Sequence, residues 1–140
     1  MFWDSSAFVP LLLPEPRSSE MTTLLKANGE VTMWWGSPVE CLSAIYRRHR
    51  EAAIPPAQLS EALNRLEVLV QDADAVLPSE ELRRRAGRIL AVHPLRAGDA
   101  LQLGAALIWC EEETVNESFV CLDGRLREAA RREGFTVVPS

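Results

Sequence analysis

Short runs of β-branched and aromatic residues recur along this chain, separated by longer segments of helical period, and that alternation restricts the fold more than any other feature. Phe2-Trp3 reads as a first strand that leads straight into Asp4. Ser5 and Ser6 are good helix-start residues, and the apolar stretch Ala7 to Leu13 runs until Pro14 and Pro16 end it. A second helix is predicted from Arg17 to Ala27, stopped by Asn28-Gly29, and a second strand from Val31 to Trp35. Ser37-Pro38 opens a third helix with apolar positions Val39, Leu42, Ile45 and Tyr46, and Pro55-Pro56 breaks it. Leu59, Leu63, Leu66 and Val70 mark a fourth helix, and Ala75 to Leu77 a short strand. Ser79 caps a fifth helix, which ends at His93-Pro94. The next helix, from about Gly98 to Cys110, is apolar on most sides and so is expected to be buried. Phe119 to Leu122 is the clearest strand, with Asp123 directly after it. A last helix with Leu126, Ala129 and Ala130 on one side precedes a final strand from Phe135 to Val138. Strands alternating with helices predict an α/β fold with a mostly parallel central sheet. In such folds ligands bind beyond the carboxyl ends of the strands.

The length, 140 residues, suits a single domain over 1–140, large enough to bury a core without disulfides. Cys41, Cys110 and Cys121 are widely spaced and include no CxxC pair, which argues against a disulfide framework and a zinc site and for reduced, mostly buried thiols. No apolar run reaches the length of a membrane span, and Asp4 stands where a signal peptide would carry basic residues, so no membrane association and a cytoplasmic location are expected. A net charge of −5 argues at first against a nucleic-acid partner. The distribution matters more than the sum. Every basic residue except Lys26 is an arginine, clustered at Arg47, Arg48 and Arg50, at Arg83, Arg84, Arg85 and Arg88, and at Arg125, Arg127, Arg131 and Arg132. Arginine grips phosphate through a rigid two-pronged fork, although any one cluster taken alone is better read as the solvated face of a helix.

Four acids stand out by position. Asp4 and Asp123 each follow a predicted strand and so belong at the carboxyl edge of the sheet. Glu40 and Asp99 each fall in the first turn of a predicted helix, and in right-handed βα units helices begin at that same edge. Each acid also has a local explanation. Ser37-x-x-Glu40 matches a capping box, Asp99 after Gly98 suits a helix N-cap, and Asp4 and Asp123 can each cap the helix that follows. Capping alone does not explain why all four belong at one edge. Carboxylates gathered there repel each other, and a divalent cation relieves the repulsion. Mg²⁺ and Mn²⁺ prefer such hard oxygen ligands, and a bound ion of this kind activates water against a phosphodiester.

At this point the chain resembles the PIN-domain superfamily, and within it the VapC-like toxins of prokaryotic toxin–antitoxin pairs. Phe2-Trp3-Asp4-Ser5-Ser6-Ala7 is similar to their N-terminal motif, and Ser37-Pro38-Val39-Glu40 to their second. Leu95-Arg96-Ala97-Gly98-Asp99-Ala100-Leu101-Gln102-Leu103 is similar to the third, and Phe119-Val120-Cys121-Leu122-Asp123-Gly124-Arg125-Leu126 to the fourth. The four motifs occur in the right order across essentially the whole chain. The resemblance implies a three-layer α/β/α sandwich and a Mg²⁺- or Mn²⁺-dependent endoribonuclease, usually a homodimer, inhibited by a cognate antitoxin. It carries over Asp4, Glu40, Asp99 and Asp123 as metal ligands or their supporters and Ser5 as a holder of a carboxylate or a metal-bound water. Arg96 and Arg125, inside the third and fourth motifs, become candidates for holding the RNA substrate. One position departs: where the family often has Thr or Ser two residues before the fourth acid, this chain has Cys121, a much weaker hydrogen-bonding group.

A non-catalytic PIN scaffold and a small metal-dependent phosphatase are the alternatives. Phosphatases with a nucleophilic aspartate usually carry a second aspartate two residues on, and here that position is Ser6. His49 and His93 have no nucleophile beside them in sequence, so a Ser–His–Asp triad has no support, and there is no glycine-rich phosphate loop. Trp3, Trp34, Trp35 and Trp109 read as core or dimer-interface residues, with one side of Trp34-Trp35 free to be exposed.

Overall fold

A computed structural model describing residues 1–140 contains one five-stranded, wholly parallel sheet. Its strands are β1 (Phe2–Trp3), β2 (Thr32–Trp34), β3 (Asp74–Val76), β4 (Ser118–Val120) and β5 (Thr136–Val138), in the order β3-β2-β1-β4-β5. The helices are α1 (Ser5–Leu12), α2 (Ser18–Ala27), α3 (Ser37–Ala52), α4 (Pro56–Asp72), α5 (Glu80–Val92), α6 (Ala97–Trp109) and α7 (Gly124–Arg132). The register is set at the centre by Phe2, which pairs with Thr32 on one side and Phe119 on the other, while Trp3 pairs with Val120.

Side chains alternate across a strand, and here the alternation builds two cores. Phe2, Phe119 and Cys121 face one side, where they meet Leu82, Ala86 and Ile89 of α5, most of α6, and Leu126, Ala129 and Ala130 of α7. Trp3, Met33 and Val120 face the other, where they meet Phe8, Met21, Cys41, Ile45 and Leu66 from α1 to α4. Each large side chain buried this way stabilises the fold by about 1.5–3 kcal/mol. The result is an α/β/α sandwich with α1–α4 on one face and α5–α7 on the other.

The strand order explains that division. From β1 the chain steps outward to β2 and then β3, and right-handed crossovers keep α1–α4 on one face. It then returns past β1 to β4 and β5, and the same handedness now places α5–α7 on the opposite face. The direction reverses between β1 and β4, so the chain leaves these two neighbouring strands toward opposite faces and a crevice opens beyond their ends.

Helix α6 is buried as its composition predicts: Ala100, Leu103, Gly104, Ala105, Ala106 and Leu107 are inaccessible. Gly104 permits the close approach of α5, since a Cβ there would stand 3.1 Å from Leu82 Cδ1 and 3.5 Å from the backbone nitrogen of Ala86. The strands are shorter than the sequence predicts. β4 ends at Val120, so Asp123 lies three residues past it instead of directly after it. The Cys121 amide still donates to the Val138 carbonyl at 3.0 Å, but Leu122 then turns toward α7. Pro55-Pro56 separates two helices as expected, with Pro56 as the first residue of α4, where its missing N–H costs nothing. Trp34 packs against the α5–α7 core and Trp35 is exposed. No helix is long and apolar enough to cross a membrane.

Candidate active site

Asp4 directly follows β1 and caps α1. Its own amide donates to the Val120 carbonyl at 2.9 Å, which ties the residue to the neighbouring strand. The carboxylate accepts from the Ser6 amide at 3.0 Å, from the Ser6 hydroxyl, and from the Cys121 thiol at 3.5 Å. The Ser6 hydroxyl in turn accepts from the Leu122 amide at 2.9 Å. Asp4 is only 3% exposed, and burial pushes its pKa up to about 6 against the pull of the Ser6 bonds, with the charge of Glu40 adding to the rise.

Glu40 sits in the first turn of α3, but the capping box expected there does not form. The N-cap is Gly36, and Ser37 is the first helical residue. Instead Glu40 is held by two other elements. The Ser5 hydroxyl of α1 donates to Oε2 at 3.2 Å, and the Gln102 amide of α6 donates to Oε1 at 2.9 Å. Gln102 Nε2 also donates to the Ser37 hydroxyl at 2.8 Å. The Gln102 carbonyl oxygen is buried without a partner, an arrangement that costs about 1–3 kcal/mol and that the Glu40 contact imposes, because a carboxylate oxygen can face only the NH₂ end of the amide. Burial raises the Glu40 pKa, and the Asp99 charge raises it further.

Asp99 is not the N-cap that its place after Gly98 suggests. α6 begins earlier, at Ala97, with Arg96 as N-cap, which puts Asp99 at the third helical position. There the nearby Arg96 amide favours its ionised form. Burial and then the Asp123 charge raise its pKa, while that amide and the guanidinium groups of Arg96 and Arg125 hold it down. Asp123 does cap its helix: Oδ1 accepts from the Leu126 amide at 2.9 Å.

The four acids come from four separate elements and share a groove at the crevice between β1 and β4. A cavity of about 510 Å³ is lined by Glu40, Arg96, Gly98, Asp99, Asp123 and Arg125, without one hydrophobic side chain. A second, of about 300 Å³, runs between α1 and α3, where Asp4, Ser5, Ser6, Ser43 and Arg47 join Glu40, Asp99 and Asp123. A larger hollow of about 1060 Å³ between α1, α2 and α4 contains none of the four acids and has a mainly apolar wall.

Ser5, Arg96 and Arg125 thus stand where the sequence places them, at the acids. Sequence reasoning missed Ser6, Gln102 and Arg47. His93 pairs with Glu133 at 2.7 Å, outside both cavities. The cysteines are free, with Cys41 and Cys121 buried.

The donor set suits a hard divalent cation. It is made of carboxylate oxygens and hydroxyls, and the pKa values of Asp4, Glu40 and Asp99 are all raised, first by burial and then by a neighbouring carboxylate. No three His, Cys, Asp or Glu side chains stand close enough together in this structure to hold a metal ion between them; the acids border the groove from different walls. No protein-family model matches the chain, and no curated protein matches it.

Proposed function

We propose that this chain is a Mg²⁺- or Mn²⁺-dependent endoribonuclease of the PIN-domain type, acting as the toxin of a toxin–antitoxin pair. One observation carries the reading: four carboxylates from four elements line a polar groove at the switch point of a parallel sheet, with exposed arginines beside them. Asp4, Glu40, Asp99 and Asp123 would hold the ion. When bound, it supplies an activated water and charge stabilisation for phosphodiester hydrolysis. The chain's own residues do the rest. Ser5 and Gln102 fix the Glu40 carboxylate, Ser6 and Cys121 fix that of Asp4, and Arg96 and Arg125 offer guanidinium groups to the phosphate. The toxin role, the antitoxin partner, the homodimer and the cytoplasmic location rest on the motif resemblance, and the exposed Trp35 is a residue available for a subunit contact.

The test is cleavage of a mixed, end-labelled RNA pool with Mg²⁺, Mn²⁺ or EDTA, with Asp99→Asn beside the wild type. Metal-dependent internal cuts by the wild type alone are expected. Turnover of a phosphomonoester without RNA cleavage would instead identify a phosphatase, and RNA binding without cleavage in any metal a scaffold.

A further inference from the structure

The arginines of this protein are not equivalent. Most are engaged: Arg17, Arg48, Arg65, Arg83, Arg85, Arg131 and Arg132 pair with acids, and Arg127 donates to the carbonyls of Cys121 and Pro139. Arg47, Arg50, Arg84, Arg88, Arg96 and Arg125 enter no ion pair or hydrogen bond. Of these, Arg47, Arg96 and Arg125 line the acidic groove, and they do so from different sides. Arg96 and Arg125 belong to the cavity at the starts of α6 and α7, and Arg47 to the cavity between α1 and α3. The two cavities meet at Glu40, Asp99 and Asp123.

Helix geometry sets the reach of the second arm. Glu40, Ser43 and Arg47 recur at three- and four-residue spacing and so share one face of α3. At 1.5 Å rise per residue, Arg47 starts roughly 10 Å along the axis from Glu40. That is far enough to meet a different phosphate from the one at the acids. Ser43 and Arg47 are both exposed, as are Arg96 and Arg125, so solvent-facing cations stand at each end of a groove with an anionic middle. A free, unpaired guanidinium at each end suits a polyanion that lies across the centre, more than a small ester that stops there.

We propose that a single RNA strand passes through this groove, with Arg47 and the Ser43 hydroxyl binding a phosphate on the far side of the acids from Arg96 and Arg125. The proposal rests on the nuclease reading and extends it: the strand is held on both sides of the bond to be cut, so the protein acts within a chain and not at its end.

Binding is measured separately from cleavage. A short fluorescein-labelled oligouridylate is titrated, by anisotropy over a range of salt, with the full chain carrying Asp99→Asn, alone and combined with Arg47→Ala, Arg47→Lys or Arg88→Ala. Arg88 is equally unpaired but lies outside the groove, so it controls for net charge. Arg47→Ala is expected to weaken binding about tenfold at low salt and to lower the slope of log K against log salt by about one. Arg47→Lys should keep the slope, and Arg88→Ala should change neither. Wild-type affinity and slope in Arg47→Ala, or an equal loss in Arg88→Ala, would overturn the subsite and leave the nuclease reading standing. Absence of RNA binding by the Asp99→Asn parent and the wild type alike would remove both.

Discussion

The four acids form two pairs that are held in different ways. Asp4 and Glu40 are gripped by side chains: the first by Ser6 and Cys121, the second by Ser5 and Gln102. Asp123 accepts only from a backbone amide, Asp99 has no side-chain partner, and both line a cavity with two free arginines. Asp4 is buried and Glu40 half-buried, and their side-chain partners fix their orientation in advance. Asp99 is half-buried as well and Asp123 exposed, and with fewer partners their carboxylates are freer to adjust. A centre built this way keeps its geometry on the inner wall and leaves the outer wall to exchange ligands with solvent.

The sharpest way to break this contrast is at its deepest member. Asp4→Asn should lower RNA cleavage by about a thousandfold or more, the several kcal/mol a metal-site carboxylate contributes, measured as initial rates in Mg²⁺. The same substitution should leave the protein at least as stable, because it removes a buried charge. Circular dichroism melting checks that, and a collapse in melting temperature would show that the carboxylate serves the fold instead.

Next in size is the effect of pH on the metal-free protein. The folded pKa of Asp4, about 6, lies above its ordinary value of 3.8, so the folded state holds the proton more tightly. The stability linked to this group is therefore present in full below about pH 4 and is lost as pH rises through 6. The loss is roughly 3 kcal/mol for a shift of this size. Urea unfolding in EDTA at a series of pH values should show this decline in the wild type and a flatter curve in Asp4→Asn.

Smaller again is the loss of the Gln102 clamp. Gln102→Leu removes two donors but also an unpartnered buried carbonyl, so stability should change by less than about 1 kcal/mol while cleavage falls about tenfold. If the loss appears in kcat and not in KM, Gln102 positions Glu40; a loss in KM alone would contradict that role. The smallest change expected is for Cys121→Ser. A hydroxyl donates to Asp4 more strongly than a thiol, so the titration of Asp4, followed by NMR, should move to lower pH with little change in rate.

The order and type of the elements were legible because their periods are clear and their ends are punctuated by Pro, Gly and Ser. Strand order was not. It depends on which short strands pair, and two- or three-residue strands hold little information about their neighbours. The shared groove of the four acids was legible in part: Asp4 and Asp123 as acids that follow strands, Glu40 and Asp99 as acids in the first turns of helices. Its supporting side chains were less so. Gln102 did carry a signal, as a lone polar residue inside an apolar helix segment, where burial demands a partner. Ser6 looked like a helix-start residue, and its link to Leu122 is invisible without the β1–β4 pairing. Arg47 was hidden among Arg48 and Arg50, and only its phase relative to Glu40 separates it from them.

The bond between the Leu122 amide and the Ser6 hydroxyl joins groups 116 positions apart in the chain. During translation Asp4 leaves the ribosome well before Asp123 and the turn before it. Until that late segment docks beside β1, Asp4 lacks the Cys121 contact, Ser6 lacks its donor, and the groove lacks a wall. A growing polypeptide therefore carries the pieces of this centre without the centre itself. Whatever reaction the assembled groove performs is withheld until the codons for β4 and the turn after it have been read.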